Sequence, residues 1–318
     1  MNFNPSFILK NKHIQTVYAT LFRKKIPIPY ELHTLELSDG DELECYFYMT
    51  QKRDAPFAIV FHGLAGSYES PYTQGVMQEL HKNDINSVLM HFRGCSGKPN
   101  KLPRSYHSGE THDARECIAF IQKHYKPSKL YGIGYSLGAN MLLKLLGELG
   151  DISVFDKAVA ISPPMKLDIC ANQMNKGFSR YYQHRLIKDL KKALLQKYEQ
   201  FDMEKYLHVS KEDIKKIKTF WEFDDVYTAP IHGFDSAQDY YTKSSSFQFL
   251  KKIQTPTMII HAKDDPFMTP DVIPTQKDIS SFITLNILEN GGHVGFVDGD
   301  LKKTHYWLEK AIVKFLQD

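Results

Sequence analysis

Residues 129–144 read Lys129-Leu-Tyr-Gly-Ile-Gly-Tyr-Ser-Leu-Gly-Ala-Asn-Met-Leu-Leu-Lys144 and join three structural signals in one short stretch. The apolar run after Lys129 predicts a short strand, and the spacing that follows predicts a helix from about Leu137 to Gly147. Between them lies Gly134-Tyr-Ser-Leu-Gly138, a Gly-x-Ser-x-Gly pattern in the strand–turn–helix context typical of a nucleophile elbow. The two glycines allow a sharp turn and close packing of the helix. Because the pattern also fits an ordinary glycine-rich turn, the rest of the chain has to distinguish the two interpretations.

Predicted strands and helices alternate on both sides of this turn. Alternating apolar and polar residues predict a hairpin of strands 31–38 and 42–49. Further strands are expected at 57–61, 86–91, 156–162, 257–261 and 282–288, and helices at 71–82, 108–124, 270–281 and 300–316. This rhythm is typical of α/β proteins with a doubly wound, mostly parallel sheet. Ligands of such sheets bind beyond the carboxyl ends of the strands, where the candidate residues of this chain also fall.

Residues 165–250 depart from this rhythm, with mostly helical periodicity and no clear buried strand. We therefore expect an inserted helical cap over the sheet edge, between core segments 31–164 and 251–318. A local basic excess over 176–218 fits a solvated face, or contact with an anionic membrane or substrate. Apolar residues at roughly helical spacing in segment 1–30 favour packing on the core over contact with a membrane surface.

The composition is that of an ordinary globular enzyme, with 42% hydrophobic and 24% charged residues. A net charge of +3 over 318 residues gives no case for nucleic acid as a partner. Four cysteines without a Cys-x-x-Cys pair favour reduced thiols in the cytoplasm over a zinc site or a disulfide framework. No stretch approaches the roughly 20 apolar residues that span a bilayer, and the N-terminus does not fit a secretory signal. We expect a cytoplasmic protein without a stable membrane anchor.

A serine nucleophile needs a general base, and that base needs a carboxylate to orient it. After a Gly-x-Ser-x-Gly elbow, the expected chain order is serine, acid, histidine. Asp264 and Asp265 follow a buried strand, and His293 lies in a late glycine-rich loop. We predict Ser136 as nucleophile, His293 as base and Asp265 as acid, because Pro266 fixes the turn next to Asp265. Asp264 is the competing acid.

An acyl-transfer site also needs an oxyanion hole, in which two backbone N–H groups point at one oxygen. We expect one donor from Leu137, directly after the serine. The other is expected from Leu64, in the loop that follows strand 57–61. His62 in the same loop precedes the serine in the chain, and we interpret it as a residue that braces the loop.

The remaining histidines and glycines do not form a cofactor motif. Three histidines match no common metal-ligand spacing: His91, His107 and His112. The glycines of the early loops form neither a Walker nor a dinucleotide-binding fingerprint. We therefore expect no metal and no organic cofactor.

Several stretches resemble the YheT-like α/β-hydrolases, the AB hydrolase 4 family within the AB hydrolase superfamily. Besides the elbow, these stretches are Lys10-Asn-Lys-His-Ile-Gln-Thr16, His62-Gly-Leu-Ala-Gly-Ser67, His91-Phe-Arg-Gly-Cys-Ser-Gly-Lys-Pro-Asn100, Gly233-Phe-Asp-Ser-Ala-Gln-Asp-Tyr-Tyr241, Asp264-Asp-Pro-Phe267 and Gly291-Gly-His-Val-Gly-Phe296. The resemblance runs over nearly the whole chain and implies the α/β-hydrolase fold. It also implies a serine hydrolase, usually called a carboxylesterase, with Ser136, Asp265 and His293 as the charge-relay set. Eukaryotic lipid enzymes of this branch carry an N-terminal membrane anchor that we do not expect here.

We expect hydrolysis of carboxylic esters through an acyl-enzyme on Ser136, with a small-molecule ester of apolar acyl chain as substrate. The aromatic cap suggests an apolar acyl or alcohol pocket, although the sequence does not show which of its rings line it: Phe178, Tyr181, Tyr182, Trp221, Phe223, Phe234, Tyr240 and Tyr241. Acyl transfer to an alcohol other than water, and lipase-type lipid hydrolysis, are alternatives on the same residues. A third alternative is a non-catalytic binding or membrane-surface protein that keeps the fold. Peripheral membrane contact is compatible with each of these.

Overall fold

The structure is a computed structural model that describes residues 2–52, 54–300 and 303–318. The strands are β1 (Glu31–Glu36), β2 (Glu42–Tyr48), β3 (Phe57–Phe61), β4 (Asn86–Met90), β5 (Leu130–Tyr135), β6 (Lys157–Ile161), β7 (Thr257–Ala262), β8 (Ile283–Leu288), β9 (Val297–Gly299) and β10 (Thr304–Tyr306). The helices are α1 (Lys12–Phe22), α2 (Pro71–Lys82), α3 (His112–Tyr125), α4 (Leu137–Leu149), α5 (Leu167–Met174), α6 (Ser179–Gln200), α7 (Met203–Leu207), α8 (Lys211–Lys216), α9 (Phe220–Phe223), α10 (Ala229–Ile231), α11 (Ala237–Ser244) and α12 (Trp307–Gln317). A π-helical turn, Asp224–Thr228, joins α9 to α10.

Eight strands form one sheet in the order β1-β2-β4-β3-β5-β6-β7-β8. β2 pairs antiparallel with β1 and β4, and the other neighbours are parallel. Strands β3, β4, β5 and β7 are buried along their whole length, because a parallel sheet is covered by helices on both faces. The predicted doubly wound, mostly parallel sheet is confirmed.

An apolar layer fills each face of the sheet. On one face, α3 and α4 contribute side chains such as Ile118 and Leu142 to a cluster with Phe57 of β3. On the other face, α2 and α12 contribute Val76 and Trp307 among others. Each fully buried side chain of this size contributes about 1.5–3 kcal/mol through the hydrophobic effect. These layers hold the carboxyl ends of the parallel strands at a common edge.

The helix predicted over 270–281 is wrong. The structure has a single 3₁₀ turn at Pro270–Val272, followed by irregular chain up to β8. Ile273 is extended, with φ −76° and ψ 122°, because it precedes Pro274, whose ring disfavours the helical conformation of the residue before it. Pro274 also lacks the backbone N–H that would continue a helix.

Two other helices begin later than their apolar spacing suggested. The helix expected at 108–124 starts at His112. The helix expected at 300–316 starts at Trp307, and Thr304–Tyr306 before it pairs with Val297–Gly299 as a two-stranded ribbon. Residues 301 and 302 of that expected helix lie outside the described residues.

The chain between β6 and β7 folds into α5 to α11 and contains no strand. Two small apolar clusters hold these helices together. One is centred on Ile187, Leu194 and Ile214, and the other on Leu167 and Tyr241. The treatment of this segment as a separate cap unit, with limits 165–250, stays a prediction.

Candidate active site

Ser136 lies in the turn between β5 and α4 with φ 49° and ψ −114°. This is a strained conformation for a residue other than glycine, and contacts on both sides hold it. The Ser136 N–H donates to the Ile161 carbonyl at 2.8 Å. A Cβ on Gly138 would lie 2.5 Å from backbone oxygens of the β3 end, and one on Gly134 would lie 2.6 Å from the first turn of α4. The turn therefore requires both glycines of the Gly-x-Ser-x-Gly pattern.

The structure brings Ser136, His293 and Asp265 into one hydrogen-bonded row. Nε2 of His293 lies 2.8 Å from Oγ of Ser136, and Nδ1 lies 2.8 Å from Oδ2 of Asp265. The Asp265 side chain is buried, and its Oδ1 accepts the Phe267 N–H at 2.8 Å. A carboxylate beside Nδ1 favours the tautomer that carries the proton there, which leaves Nε2 able to accept the hydroxyl proton of the serine.

Asp264, the competing acid, does not contact the His293 ring in the described structure. Its Oδ1 accepts the Gly292 N–H at 2.9 Å, and its Oδ2 lies 3.4 Å from the Asn290 amide nitrogen. Partial burial raises the pKa of this carboxyl. Asp264 thus holds the loop that presents His293, while Asp265 contacts the imidazole itself.

The N-terminal helix α1 supports the same loop, a role that the sequence did not indicate. The His293 N–H donates to Oγ1 of Thr16 at 3.0 Å. Gln15 is fully buried; its amide donates to the Leu9 and Val297 carbonyls, and its oxygen accepts the Val297 N–H. Both residues belong to the Lys10–Thr16 stretch, the only signal in the sequence that could have pointed to them.

Two further residues next to the imidazole were not anticipated. The Phe267 ring stacks on His293, with centroids 4.0 Å apart and an interplanar angle of 10°. His261 at the end of β7 is buried, and burial lowers the pKa of its imidazole to about 4. A neutral His261 adds no second positive charge beside His293. Only the strand position of His261 in β7 could have marked it as close to the site.

Two backbone donors lie where the oxyanion hole was expected. Leu137 is the first residue of α4, and Leu64 lies in the loop after β3; both line one cavity with Ser136 and His293. The N–H groups on either side of Leu64 are already used, since Gly63 donates to Tyr72 Oη at 2.9 Å and Ala65 to Tyr106 Oη at 3.0 Å. Within the described chain, neither the Leu64 nor the Leu137 N–H has a hydrogen-bond partner.

His62 contacts the Leu64 loop and not the serine. Its Nδ1 lies 2.7 Å from the Gly63 carbonyl, and its Nε2 accepts the Phe92 N–H at 3.1 Å. This pattern fits one neutral tautomer with the proton on Nδ1. Burial lowers the pKa of His62 to about 3, so the ring stays neutral at physiological pH and braces the loop.

Arg93 of the Phe-Arg-Gly stretch is a structural ion-pair centre. Its guanidinium contacts three carboxylates, at 2.7 Å from Asp113 and 2.9 Å from both Asp39 and Asp41. Its side chain and those of Asp41 and Asp113 are fully buried. Removal of one partner would leave a buried charge uncompensated. The network ties the β1–β2 turn to the end of β4 and the start of α3.

A cavity of about 360 Å³ lies above the serine, between the sheet edge and the helices of 165–250. The core side contributes Ser136, His293, Leu64 and Leu137. The helices contribute mainly apolar and aromatic side chains: Leu167, Ala171, Met174, Leu186, Leu190, Ala193, Leu194, Phe220, Phe223, Tyr227, Tyr240 and Tyr241. Of the eight aromatic residues named from the sequence, Phe223, Tyr240 and Tyr241 line the cavity, whereas Phe178 and Tyr181 are exposed at the surface.

Two carboxyl groups, those of Asp189 and Asp224, interrupt this mostly apolar wall. Asp224 lines the cavity and accepts hydrogen bonds from Thr228 Oγ1 and Tyr241 Oη, each at 2.6 Å. Burial raises the pKa of Asp224 to about 6, although both hydroxyl groups lower it. The cavity therefore combines a large apolar surface with a polar spot on the side opposite the sheet.

The histidines that invited a metal assignment have other partners. His91 accepts the Tyr68 N–H at Nε2, and its Nδ1 lies 3.1 Å from the Glu44 carbonyl. His107 packs against the His232 ring. Among the described residues, no group of three or more His, Cys, Asp or Glu side chains is arranged to hold a metal ion.

The helices of residues 2–52, 54–300 and 303–318 are short or carry charged side chains. None of them is both long and apolar enough to cross a membrane. Helix α6, the longest, carries several charged residues along its length.

Comparison with known proteins assigns this chain to a family. A family profile described as alpha/beta hydrolase fold matches residues 59–300. The chain belongs to the α/β-hydrolases. It is 40% identical to YheT of Escherichia coli K12, which is provisionally named an esterase. The alignment runs over 316 residues and covers 99% of this chain and 92% of YheT. The resemblance to YheT-like α/β-hydrolases is thereby confirmed.

A more distant relative and a solved structure agree with this assignment. The chain is 30% identical to a monoacylglycerol lipase of Saccharomyces cerevisiae over 269 residues, or 82% of this chain and 59% of that protein. An esterase of Pyrococcus furiosus shares the fold with a TM-score of 0.57 over 99% of this chain and 98% of its own, at 14% identity. This α/β-hydrolase thus has relatives that carry esterase and lipase names.

Proposed function

We propose that this protein hydrolyses carboxylic esters through an acyl-enzyme on Ser136. The observation that carries the proposal is the pair of 2.8 Å contacts that His293 makes with Ser136 and Asp265. A serine hydroxyl within hydrogen-bond reach of an oriented neutral imidazole is an activated nucleophile. The names of the relatives in Escherichia coli and yeast, an esterase and a monoacylglycerol lipase, support esters as the substrate class.

In the proposed acylation step, Oγ of Ser136 attacks the ester carbonyl carbon while Nε2 of His293 takes the hydroxyl proton. Asp265 stabilises the imidazolium that forms. The oxyanion accepts hydrogen bonds from the Leu64 and Leu137 N–H groups, which have no other partner in the described chain. Collapse of this intermediate expels the alcohol, which takes the proton from Nε2 as it leaves.

In the proposed deacylation step, a water molecule takes the place of the alcohol. His293 removes its proton, the hydroxide attacks the acyl carbon, and Ser136 leaves with the proton from Nε2. The carboxylic acid is released and the free serine is restored, without a redox change. Ser136 is therefore the nucleophile in the first step and the leaving group in the second, and His293 takes and returns a proton in both.

The cavity supports an ester with an apolar acyl or alcohol part of medium length. Apolar side chains of α5, α6 and α9 face the serine across this space, and burial of apolar surface stabilises a bound chain by about 0.8 kcal/mol per CH₂. A ligand held in a mostly apolar pocket with a few polar groups is the usual arrangement of small-molecule sites. We expect octanoate esters to exceed acetate esters in kcat/KM.

The test is labelling by a fluorophosphonate probe together with hydrolysis of p-nitrophenyl acetate, butyrate and octanoate. Ser136→Ala is expected to abolish labelling and to reduce kcat by about 10⁴-fold or more. Ser105→Ala is the matched control, because Ser105 lines the same cavity without contacting His293; it should keep labelling. Labelling that survives Ser136→Ala, or a wild type without turnover of any ester, would overturn the proposal.

A further inference from the structure

The exposed side of the first turns of α6, with the turn before it, carries a set of basic and aromatic side chains. The bases are Lys176, Arg180, Arg185 and Lys188, and the rings are Phe178 and Tyr181; all six are exposed. Tyr181, Arg185 and Lys188 are spaced by four, three and seven residues in α6 and so share one side of the helix. Arg180 lies beside them in the first turn of α6, where it is exposed. The opposite side of α6 is buried by Ile187 and Leu194. We call these six residues the basic–aromatic face.

The bases of this face lack acidic partners. Among the described residues, none of the four forms a salt bridge with a carboxylate. The lysines of α8 differ in this respect, since Lys211, Lys215 and Lys216 pair with Glu199, Glu212 and Asp213 respectively. Asp189 follows Lys188 directly and is exposed, but among the described residues it forms no salt bridge with any of the four bases. The basic–aromatic face therefore keeps a net positive charge, because its four bases outnumber this one carboxylate.

The two rings of the face are unusually open for aromatic side chains. Phe178 is 57% exposed and Tyr181 is 56% exposed, and their ring centroids lie 5.7 Å apart. Phe178 also packs on His13 of α1 at 4.5 Å. Exposure of these two rings to water is unfavourable, because burial of apolar surface lowers the free energy. The rings thus form an apolar tip within a positively charged surround.

A continuous row of rings connects this tip with the candidate active site. Phe178 lies 5.6 Å from the buried Tyr182, and Tyr182 lies 5.1 Å from Phe267. Phe267 stacks on His293 at 4.0 Å. Whatever covers the tip therefore lies within three ring contacts of the catalytic row of Ser136, His293 and Asp265, on the side of the molecule where α1 and α6 meet.

We propose that the basic–aromatic face docks on an anionic lipid bilayer. Basic side chains are attracted to the negative surface of such a bilayer, and aromatic rings prefer its interface, where one edge is wet and the other apolar. An acidic protein would also account for the four bases, and it is the partner that an absence of vesicle binding by wild type would favour. The inference concerns a surface outside the catalytic row and stands whether or not the proposed ester hydrolysis is correct.

The experiment is co-sedimentation of the full chain with vesicles of phosphatidylcholine alone, or with roughly one third phosphatidylglycerol, at low and at 0.5 M salt. Binding is expected with the anionic vesicles at low salt, with little binding to the neutral ones. The variant Arg180→Glu/Arg185→Glu/Lys188→Glu should bind anionic vesicles at least about tenfold more weakly. The matched control, Lys211→Glu/Lys215→Glu/Lys216→Glu, changes the same charge elsewhere and should lose less than about threefold.

The rings are tested separately with Phe178→Ser/Tyr181→Ser, which leaves the charge unchanged. This variant should bind anionic vesicles about three- to tenfold more weakly, while its hydrolysis of soluble p-nitrophenyl butyrate stays within twofold of wild type. Equal losses in the two triple variants, equal binding to neutral vesicles, or no vesicle binding by wild type would each overturn the proposal. A wild type that binds vesicles but hydrolyses no ester would refute the proposed function and leave this inference intact.

Discussion

The sheet and the helices of 165–250 contribute opposite kinds of surface to the same cavity. The sheet edge contributes Ser136, His293 and the N–H groups of Leu64 and Leu137, which have no hydrogen-bond partner among the described residues. Ser136 and His293 are held by backbone hydrogen bonds in loops that follow strands of the sheet. The helices contribute a mostly apolar lining with several polar side chains, among them Asp189, Lys197 and Asp224. Chemistry and shape thus come from different parts of the chain.

This difference indicates how each part tolerates change. The reacting groups depend on distances of 2.8 Å between residues from three loops, and a displacement of 1 Å can cost about 10²-fold in rate. The apolar wall depends only on volume and on the hydrophobic effect, so that a change of one methylene alters substrate preference by modest factors. Changes in the sheet loops should therefore abolish turnover, whereas changes in the helices should redirect it.

The largest effect is expected from Asp265, the acid of the proposed catalytic row. Asp265→Asn should lower kcat by about 10⁴-fold, because an amide favours the wrong tautomer of His293. Asp264→Asn is the matched control, since Asp264 contacts the loop backbone and not the ring; it should lower kcat by less than about tenfold. The measurement is steady-state hydrolysis of p-nitrophenyl butyrate. A larger loss in Asp264→Asn would assign the acid role to Asp264 instead.

Two glycine substitutions test how much the backbone of the sheet loops and of the helical segment tolerates a side chain. Gly138→Ala would place a Cβ 2.5 Å from backbone oxygens of the sheet, and nothing flexible can move there. We expect a loss of about 3 kcal/mol or more in the free energy of unfolding. Gly177→Ala near α6 has φ +48° but no atom within 4 Å, so we expect about 1 kcal/mol. Urea unfolding checks both values, and a reversed order would contradict the close packing of the elbow.

The two parts also differ in their response to pH. Burial raises the pKa of Asp224 to about 6 from an ordinary value of 3.8, so the folded state disfavours its charged form. This penalty is absent below pH 3.8, grows as pH rises towards 6, and reaches roughly 2–3 kcal/mol above that pH. The difference in Tm between Asp224→Asn and wild type should therefore rise between pH 4 and pH 7. A difference that does not change with pH would contradict this assignment.

The buried histidines of the sheet act in the opposite direction. Burial lowers the pKa of His62 to about 3 and that of His91 to about 4. Their stabilising effect is complete above pH 6.5 and is lost as pH falls towards those values. This common background cancels in the comparison of Asp224→Asn with wild type, because both proteins contain the same histidines.

The smallest effect is expected from a change of volume in the cavity wall. Ala171 of α5 is buried and lines the cavity, so Ala171→Leu should reduce the space for a long acyl chain. We expect kcat/KM to fall about tenfold for p-nitrophenyl octanoate and less than about twofold for the acetate. Ala171→Ser, which adds little volume, is the control. Equal losses for both esters would indicate damage to the catalytic row and not to the pocket.

Local patterns in the sequence predicted the parts of the site that depend on chain order and strand ends. The Gly134–Gly138 pattern needs only neighbouring residues, and the order serine, acid, histidine follows from strands that end at one edge of a parallel sheet. The predicted sheet and the resemblance to the YheT-like α/β-hydrolases are confirmed. The catalytic roles of Ser136, Asp265 and His293 stay a prediction, although the structure places the three in contact.

The supporting contacts could not be read from the sequence in the same way. Thr16 and His293 are 277 residues apart, and nothing in either neighbourhood specifies the other. The same holds for the stacking of Phe267 on His293 and for the burial of His261. The prediction of a helix over 270–281 was wrong for a local reason, because Pro274 restricts the backbone of Ile273.

The sequence alone determined the α/β-hydrolase family and predicted the kind of chemistry, because residue type, turn geometry and strand order are local properties of the chain. Tertiary structure decided which of two adjacent aspartates meets the imidazole, which aromatic rings line the cavity and which remain at the surface. Those outcomes depend on how helices of the 165–250 segment and the N-terminal helix pack on the sheet. Packing is set by long-range burial of apolar surface, which no single stretch of sequence contains.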